Sequence, residues 1–120
     1  MDAALSQIID RVRDSAARQA PLCIRGGGTK DFHGPGAPRH AGEPLDMRPL
    51  AGIVSYEPSE LVVTALAGTP LAELEALLAR HGQSLAFEPP RFAPGGTVGG
   101  MVAAGLSGPA RASVGAVRDF

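Results

Sequence analysis

Two stretches of the chain have residue types that could bring backbone close to a ligand. The first is RGGGTK, residues 25–30, directly after the apolar run PLCI; the second is PGGTVGGMVAAG, residues 94–105. Three consecutive glycines at the end of a strand lose backbone entropy and add no packing. They are expected only where φ must be positive or where something approaches closer than a Cβ allows. A phosphate is one such thing, and a tight turn is another. In the second stretch Gly95, Gly96, Gly99 and Gly100 are expected to leave amide N–H groups uncovered, with the apolar residues behind them forming a short helix whose N-terminus points at the loop. Free amides and a helix dipole together favour an anion. The same residues also suit a helix packed tightly on a sheet. Arg25 and Lys30 flank the first stretch, where they either offset phosphate charge or stand in solvent.

Neither stretch fits a named nucleotide fingerprint. GGGTKD lacks the final Gly of G-x-G-x-x-G, and GGTVGGMV has no Lys where a P-loop needs one. Two glycine loops far apart in sequence, one after a strand and one opening a helix, instead suggest a ligand with an extended polyphosphate and a flat ring, gripped from both sides. Other chemistries find little support. His33, His40 and His81 are spread without ligand spacing, and the lone Cys23 makes no Cys/His cluster, so no metal site is expected. Ser107 and Ser113 lie outside any G-x-S-x-G elbow. Glu88, before Pro89 and Pro90, reads as a loop carboxylate rather than a general base, and no catalytic residue is expected within the chain.

Composition narrows the class further. The 11 basic and 12 acidic residues nearly cancel, which gives no electrostatic footprint for nucleic acid or an anionic membrane. Aromatics are 4% with no Trp, so base-stacking platforms are not expected. An apolar share of 44% against 19% charged suits a globular domain. One cysteine excludes an internal disulfide, and Cys23 reads as a small buried hydrophobe. No apolar run reaches membrane-span length and MDAALSQIID is not a signal peptide, which points to the cytoplasm.

The elements that would hold the two loops follow from periodicity. Leu5, Ile8, Ile9, Val12 and Ala16 recur at helical spacing, predicting an amphipathic helix over 2–19 that Pro21 ends. PLCIRG predicts a buried strand, and DFHGPGAPRHAGEP an irregular loop. Strands are expected at Ile53 to Tyr56 and Leu61 to Ala67 around the turn residues EPSE. A second helix is expected with Thr69 as N-cap, Pro70 at its first position, an apolar stripe of Leu71, Leu74, Leu77 and Leu78, and Gly82 as its stop. SLAF is a further candidate strand. The fold class is α+β, with strand order not fixed by spacing.

RGGGTK, LVVTALAGTPLAELEALLARHGQSLAFEPP and PGGTVGGMVAAGLSGPARASVGAVRDF together resemble the N-terminal part of the flavin domain of PCMH-type, vanillyl-alcohol oxidase-like flavoproteins. Within that group, YEPSELVVTALAGTPL, FEPP and GGMVAAGLSGPAR are similar to the glycolate oxidase E-subunit family. The resemblance covers nearly all 120 residues and implies that they are the N-terminal portion of one FAD-binding domain, lacking the rest of that domain and a cap domain. It implies that Arg25, Gly26, Gly27, Gly28, Thr29 and Lys30 cradle the FAD pyrophosphate. Pro94, Gly95, Gly96, Thr97, Val98, Gly99 and Gly100 would line the other side, towards the flavin ring. Some members attach FAD through a His in the first loop; Thr29 and Lys30 stand there in this chain, which implies a non-covalent cofactor.

The implied activity is oxidation of 2-hydroxy acids, glycolate to glyoxylate, beside a catalytic flavoprotein subunit and an iron–sulfur subunit. The complex would be cytoplasmic or peripheral to the inner membrane, and the 120 residues alone are expected to be inactive. Arg111 and Arg118 then face either FAD or a partner subunit. The alternative is a structural subunit or fragment that no longer binds flavin. Under the flavin reading, Gly27 and Gly99 are expected to resist substitution by Ala, through a positive φ or a clash with the cofactor.

Overall fold

A computed structural model describes residues 2–28, 42–86 and 95–105. The elements run α1 (Asp2–Arg18), β1 (Leu22–Arg25), β2 (Glu43–Asp46), β3 (Ile53–Glu57), a 3-10 turn (Pro58–Glu60), β4 (Val62–Ala65), α2 (Leu71–Ala79) and α3 (Val98–Ala104). This mixture of helix and strand is the expected α+β class.

The strands form two small sheets. β1 and β2 pair in parallel, with Leu22 opposite Glu43 and Arg25 opposite Asp46. β3 and β4 pair antiparallel, with Tyr56 opposite Val63 and Glu57 opposite Val62, and an irregularity between Ile53 and Ser55. β2 falls partly in the stretch read as irregular loop. Its sequence, EPLD, has one apolar residue and a proline, so nothing local marks it. Its pairing comes from β1, a partner far away in sequence.

The core lies on the second sheet. Leu71, Leu74, Leu78 and Met101 are buried, and Ile53, Tyr56, Val63, Leu85 and Val98 pack against them. Spacing of three and four residues puts the three leucines on one face of α2. The end of α2 is fixed by backbone bonds: Gln83 N–H to Leu78 O at 2.9 Å, Gly82 N–H to Ala79 O at 3.0 Å, and Gly82 at φ +67°. This is a Schellman stop, for which glycine avoids the Cβ penalty. Beyond it the Tyr56 hydroxyl donates to Gln83 Oε1, while Gln83 Nε2 donates to Pro58 O at 2.8 Å, tying α2 back to the β3–β4 turn.

Some expectations change. On α1 only Ile8 of the larger apolar residues is half-buried, and Leu5, Ile9 and Val12 remain 38%, 37% and 47% exposed, so the stripe does not face the described core. α1 is tied to β2 by Arg11, which donates to Pro44 O at 3.1 Å and pairs with Glu43 at 3.6 Å. Cys23 is half-buried, not buried. Ser84 to Ala86 form no strand; Phe87 lies outside the described residues.

Thr69 is not the N-cap of α2; Pro70 holds that position and has no side chain able to cap. Instead Thr69 is fully buried, its hydroxyl donating towards Leu66 O at 2.7 Å and accepting from Gly52 N–H at 2.9 Å. It joins the segment entering β3 to the one leaving β4. Thr69→Val keeps the shape but strands the Gly52 N–H and a carbonyl, and is expected to cost about 1–3 kcal/mol. Thr69→Ser, which keeps the hydroxyl, should lose less. Denaturant unfolding of the three proteins checks the order.

Candidate functional site

The two glycine stretches meet. Gly26 and Gly27 leave β1, and Gly95 to Thr97 enter α3; Gly27 and Gly95 approach backbone to backbone, while Gly26 faces the Thr97 side chain. A Cβ built on Gly27 would lie 1.8 Å from the Gly95 carbonyl oxygen, and one on Gly26 would lie 2.3 Å from Thr97 Oγ1. Of the residues the sequence assigns to the cofactor, Gly26 and Gly27 therefore meet Gly95 to Thr97 directly, with Arg25 and Gly28 flanking the first run and Val98, Gly99 and Gly100 continuing the second into α3. Thr29, Lys30 and Pro94 lie outside the described residues, as do His33, His40, Glu88, Ser107, Arg111, Ser113 and Arg118.

The second stretch differs from its sequence reading. Gly99 and Gly100 belong to the first turn of α3, which Thr97 caps by accepting from Gly100 N–H at 3.1 Å. The Val98 amide donates to Thr69 O at 2.9 Å, the Gly99 amide to Ala67 O at 2.8 Å and the Met101 amide to Thr97 O at 3.0 Å. The amides of Gly99 and Gly100 are thus not uncovered. Those of Val98 and Gly99 bind α3 to the segment between β4 and α2, which Leu71 N–H reinforces by donating to Gly96 O at 2.8 Å. Of the two readings left open, this part of the loop follows the one in which a helix packs closely on its neighbour.

Gly27 and Gly99 are also corrected. Neither has a positive φ, and each meets its own chain before any cofactor: Gly27 meets Gly95 O, and Gly99 has Ala67 Cβ and O at 3.0 Å from a built Cβ.

Beside the junction lies a cleft of about 300 Å³, lined by Arg25, Gly26, Gly27, Pro44, Asp46 and Arg48. Sequence reasoning missed Asp46 and Arg48; the only local sign was an acidic and a basic residue two apart. β1–β2 pairing carries them there, and Met47 N–H donating to Arg25 O at 2.8 Å sets the exit of β2 against that of β1. Arg48 grips Asp46 with Nε at 2.9 Å from Oδ1 and Nη2 at 2.7 Å from Oδ2, and its own amide donates to Oδ1 at 3.0 Å. These side-chain and backbone hydrogen bonds, helped by the charges of Arg48 and Arg25, hold the Asp46 carboxyl down to about 2 from an ordinary 3.8.

Among the described residues the cleft is lined by two guanidinium groups and one carboxylate. Its volume is at the small end of ligand cavities, which run from roughly 300 Å³ upwards. A glycine-edged cleft of this size with two arginines on its wall fits the phosphate portion of a dinucleotide rather than the whole molecule. Among the described residues no group of three or more His, Cys, Asp or Glu could hold a metal, and no helix is long and apolar enough to cross a membrane. His81 is exposed at the end of α2, its Nδ1 3.2 Å from Leu77 O and its ring edge-on to Tyr56, as a helix-end histidine is expected to be.

An α+β domain that crosses two glycine turns beside an arginine-lined cleft is of the cofactor-holding class. The chain belongs to the FAD binding domain family, whose model matches residues 3–120. It is 45% identical over 113 residues to the glycolate oxidase subunit GlcE of Escherichia coli strain K12, an alignment that takes in 94% of this chain and 31% of the relative. The chain thus spans under a third of that relative's length. No solved structure matches it. FAD is the cofactor of the family, and the oxidoreductase class expected from the sequence accords with the relative.

Two outcomes follow from the geometry. Without any flavin, Gly27→Ala should lower stability by about 1–3 kcal/mol, because the obstacle is a carbonyl on another segment. Gly99→Ala should cost less, since a helix gains about 1 kcal/mol from replacing Gly by Ala and its contacts are looser. Thermal melts of the flavin-free protein check both. Asp46, whose folded value is depressed, should contribute stability fully above its unfolded value and lose it as pH falls from 3.8 through about 2. The stability gap between the wild type and Asp46→Asn should therefore close over that window.

Proposed function

We propose that the chain is the front part of the FAD-holding domain of an oxidoreductase subunit that takes part in oxidising 2-hydroxy acids, glycolate being the substrate class named by its relative. The observation that carries this is the crossing of Gly27 on Gly95 beside the cleft of Arg25 and Arg48, in a chain of the FAD binding domain family. Bound FAD would supply the redox chemistry, accepting the two electrons that leave the hydroxyl-bearing carbon as a 2-hydroxy acid becomes a 2-oxo acid.

The chain's own contribution is binding and orientation. Arg25 with the Gly26–Gly28 turn would hold phosphate, and Thr29 and Lys30, next in sequence, would add to it. Pro94 to Gly100 would form the opposite wall, shaped by backbone because the amides of Val98, Gly99 and Gly100 are already engaged. The flavin is held without a covalent bond, since the first loop has Thr29 and Lys30 where a covalent histidine would stand. No group here serves as acid or base, so the chain alone has no turnover. The rest of the domain and the partner subunits, a catalytic flavoprotein and an iron–sulfur protein, complete the site.

The test is a chimera in which these residues replace the matching 113-residue segment of the Escherichia coli relative. Purified by itself it should be yellow, and acid precipitation should release all its flavin into the supernatant. Colour that stays with the pellet overturns the non-covalent mode. A folded but colourless chimera that still supports glycolate turnover with its partner subunits overturns the flavin reading in favour of the structural one.

A further inference from the structure

The Asp46–Arg48 pair is built more firmly than stability requires. Both side chains are largely solvent-exposed, 44% and 62%, and exposed pairs of this kind contribute little because solvent screens them. Yet the carboxylate is bound by three groups of one arginine, its Nε, its Nη2 and its backbone amide, which fixes the guanidinium in one orientation. An arginine whose fork is already locked loses less freedom when it takes a second acceptor. Nη1 takes no part in these bonds, and a guanidinium has five N–H donors, so donors remain beyond those that Asp46 uses.

The pair also sits where a ligand would be. Arg48 and Asp46 line the same cleft as Arg25, Gly26 and Gly27, and the Met47 bond to Arg25 O sets the height of Arg48 against the first glycine turn.

We propose that Arg48 binds the pyrophosphate of a dinucleotide in this cleft, opposite Gly26 and Gly27, and that Asp46 is a positioning residue that holds the Arg48 fork for it. This rests on the flavin reading and adds to it a contact from the β2 exit, which neither glycine stretch supplies. The ligand chemistry is a diphosphate, which inorganic pyrophosphate and FAD share.

The probe is inorganic pyrophosphate added to the isotope-labelled 120-residue chain, followed by nuclear magnetic resonance at the backbone amides and the arginine Nε groups. Saturable shifts are expected at Gly26, Gly27 and Arg48 Nε in the millimolar range. Arg48→Gln should weaken binding about tenfold, the size of one charge-assisted hydrogen bond. Arg80→Gln, an equal loss of charge at the end of α2, should leave it unchanged. Asp46→Asn decides the positioning role by sign. If Asp46 merely repelled the anion, removing its charge would tighten binding; if it holds the fork, binding weakens several-fold and the Arg48 Nε signal loses its pyrophosphate response.

Absence of shifts at the cleft, equal losses in Arg48→Gln and Arg80→Gln, or tighter binding by Asp46→Asn each overturns the proposal. A second titration with FAD separates it from the reading beneath it. FAD-dependent shifts at the glycine turns with Arg48 Nε unmoved overturn the Arg48 contact and keep the flavin. Pyrophosphate shifts at Arg48 alongside a colourless chimera keep the diphosphate contact and remove the flavin.

Discussion

The described structure depends on a crossing of two backbones with no side chain between them. Where the chain leaves β1 and where it enters α3, a Cβ on Gly27 would stand 1.8 Å from Gly95 O, far inside any allowed contact. A similar approach follows within the first turn of α3, where the Gly99 amide bonds to Ala67 O at 2.8 Å. The three segments are distant in sequence: one leaves β1 of the parallel sheet, one leaves β4 of the antiparallel sheet, and the third is the start of α3. Glycine's loss of chain entropy is offset because any larger residue would push the parallel sheet away from the α2–α3 core.

The charge arrangement follows from that crossing. With the β1 exit fixed against α3, the parallel partner β2 is carried alongside, and the Met47 bond to Arg25 O brings the Asp46–Arg48 turn to the same edge. Among the described residues Arg25, Arg48 and Asp46 then line one small cleft, where an anion would meet side chains and not a helix terminus. The distinction is physical. α3 has seven residues and its first amides are bound to Thr69, Ala67 and Thr97, so donor capacity at this site has to come from side chains and from the turns before the helix.

Much of the fold could be read from sequence where signals are local. α1 and α2 announced themselves by spacing, Gly82 by its place after the leucine stripe, and β3 and β4 by β-branched runs around a proline turn. β2 could not be read, because a four-residue strand with one buried leucine is specified by its partner and not by itself. Thr69 looked like a cap since it precedes Pro70; its buried hydroxyl instead bonds to Gly52, seventeen residues away, which no local pattern reports. The glycine loops were found because glycine runs are rare and costly. What each glycine faces was not legible, since a close approach to a ligand and one to the chain itself demand the same residue. Asp46 and Arg48 left almost no trace, an acidic and a basic residue two apart being common on any surface.

That ambiguity bears on how such a site can be probed. If Gly27 is required first by Gly95, then a bulky residue there displaces α3 whether or not Gly27 ever touches the cofactor. Loss of FAD from a glycine variant would therefore not locate the cofactor, because the fold and the site fail together. Arg48 is different. Its side chain is 62% exposed, its bonds are to Asp46 alone among the described residues, and removing it leaves the crossing intact. The informative substitutions are at the charged rim of the cleft, where binding can change while the backbone junction that forms it stays in place.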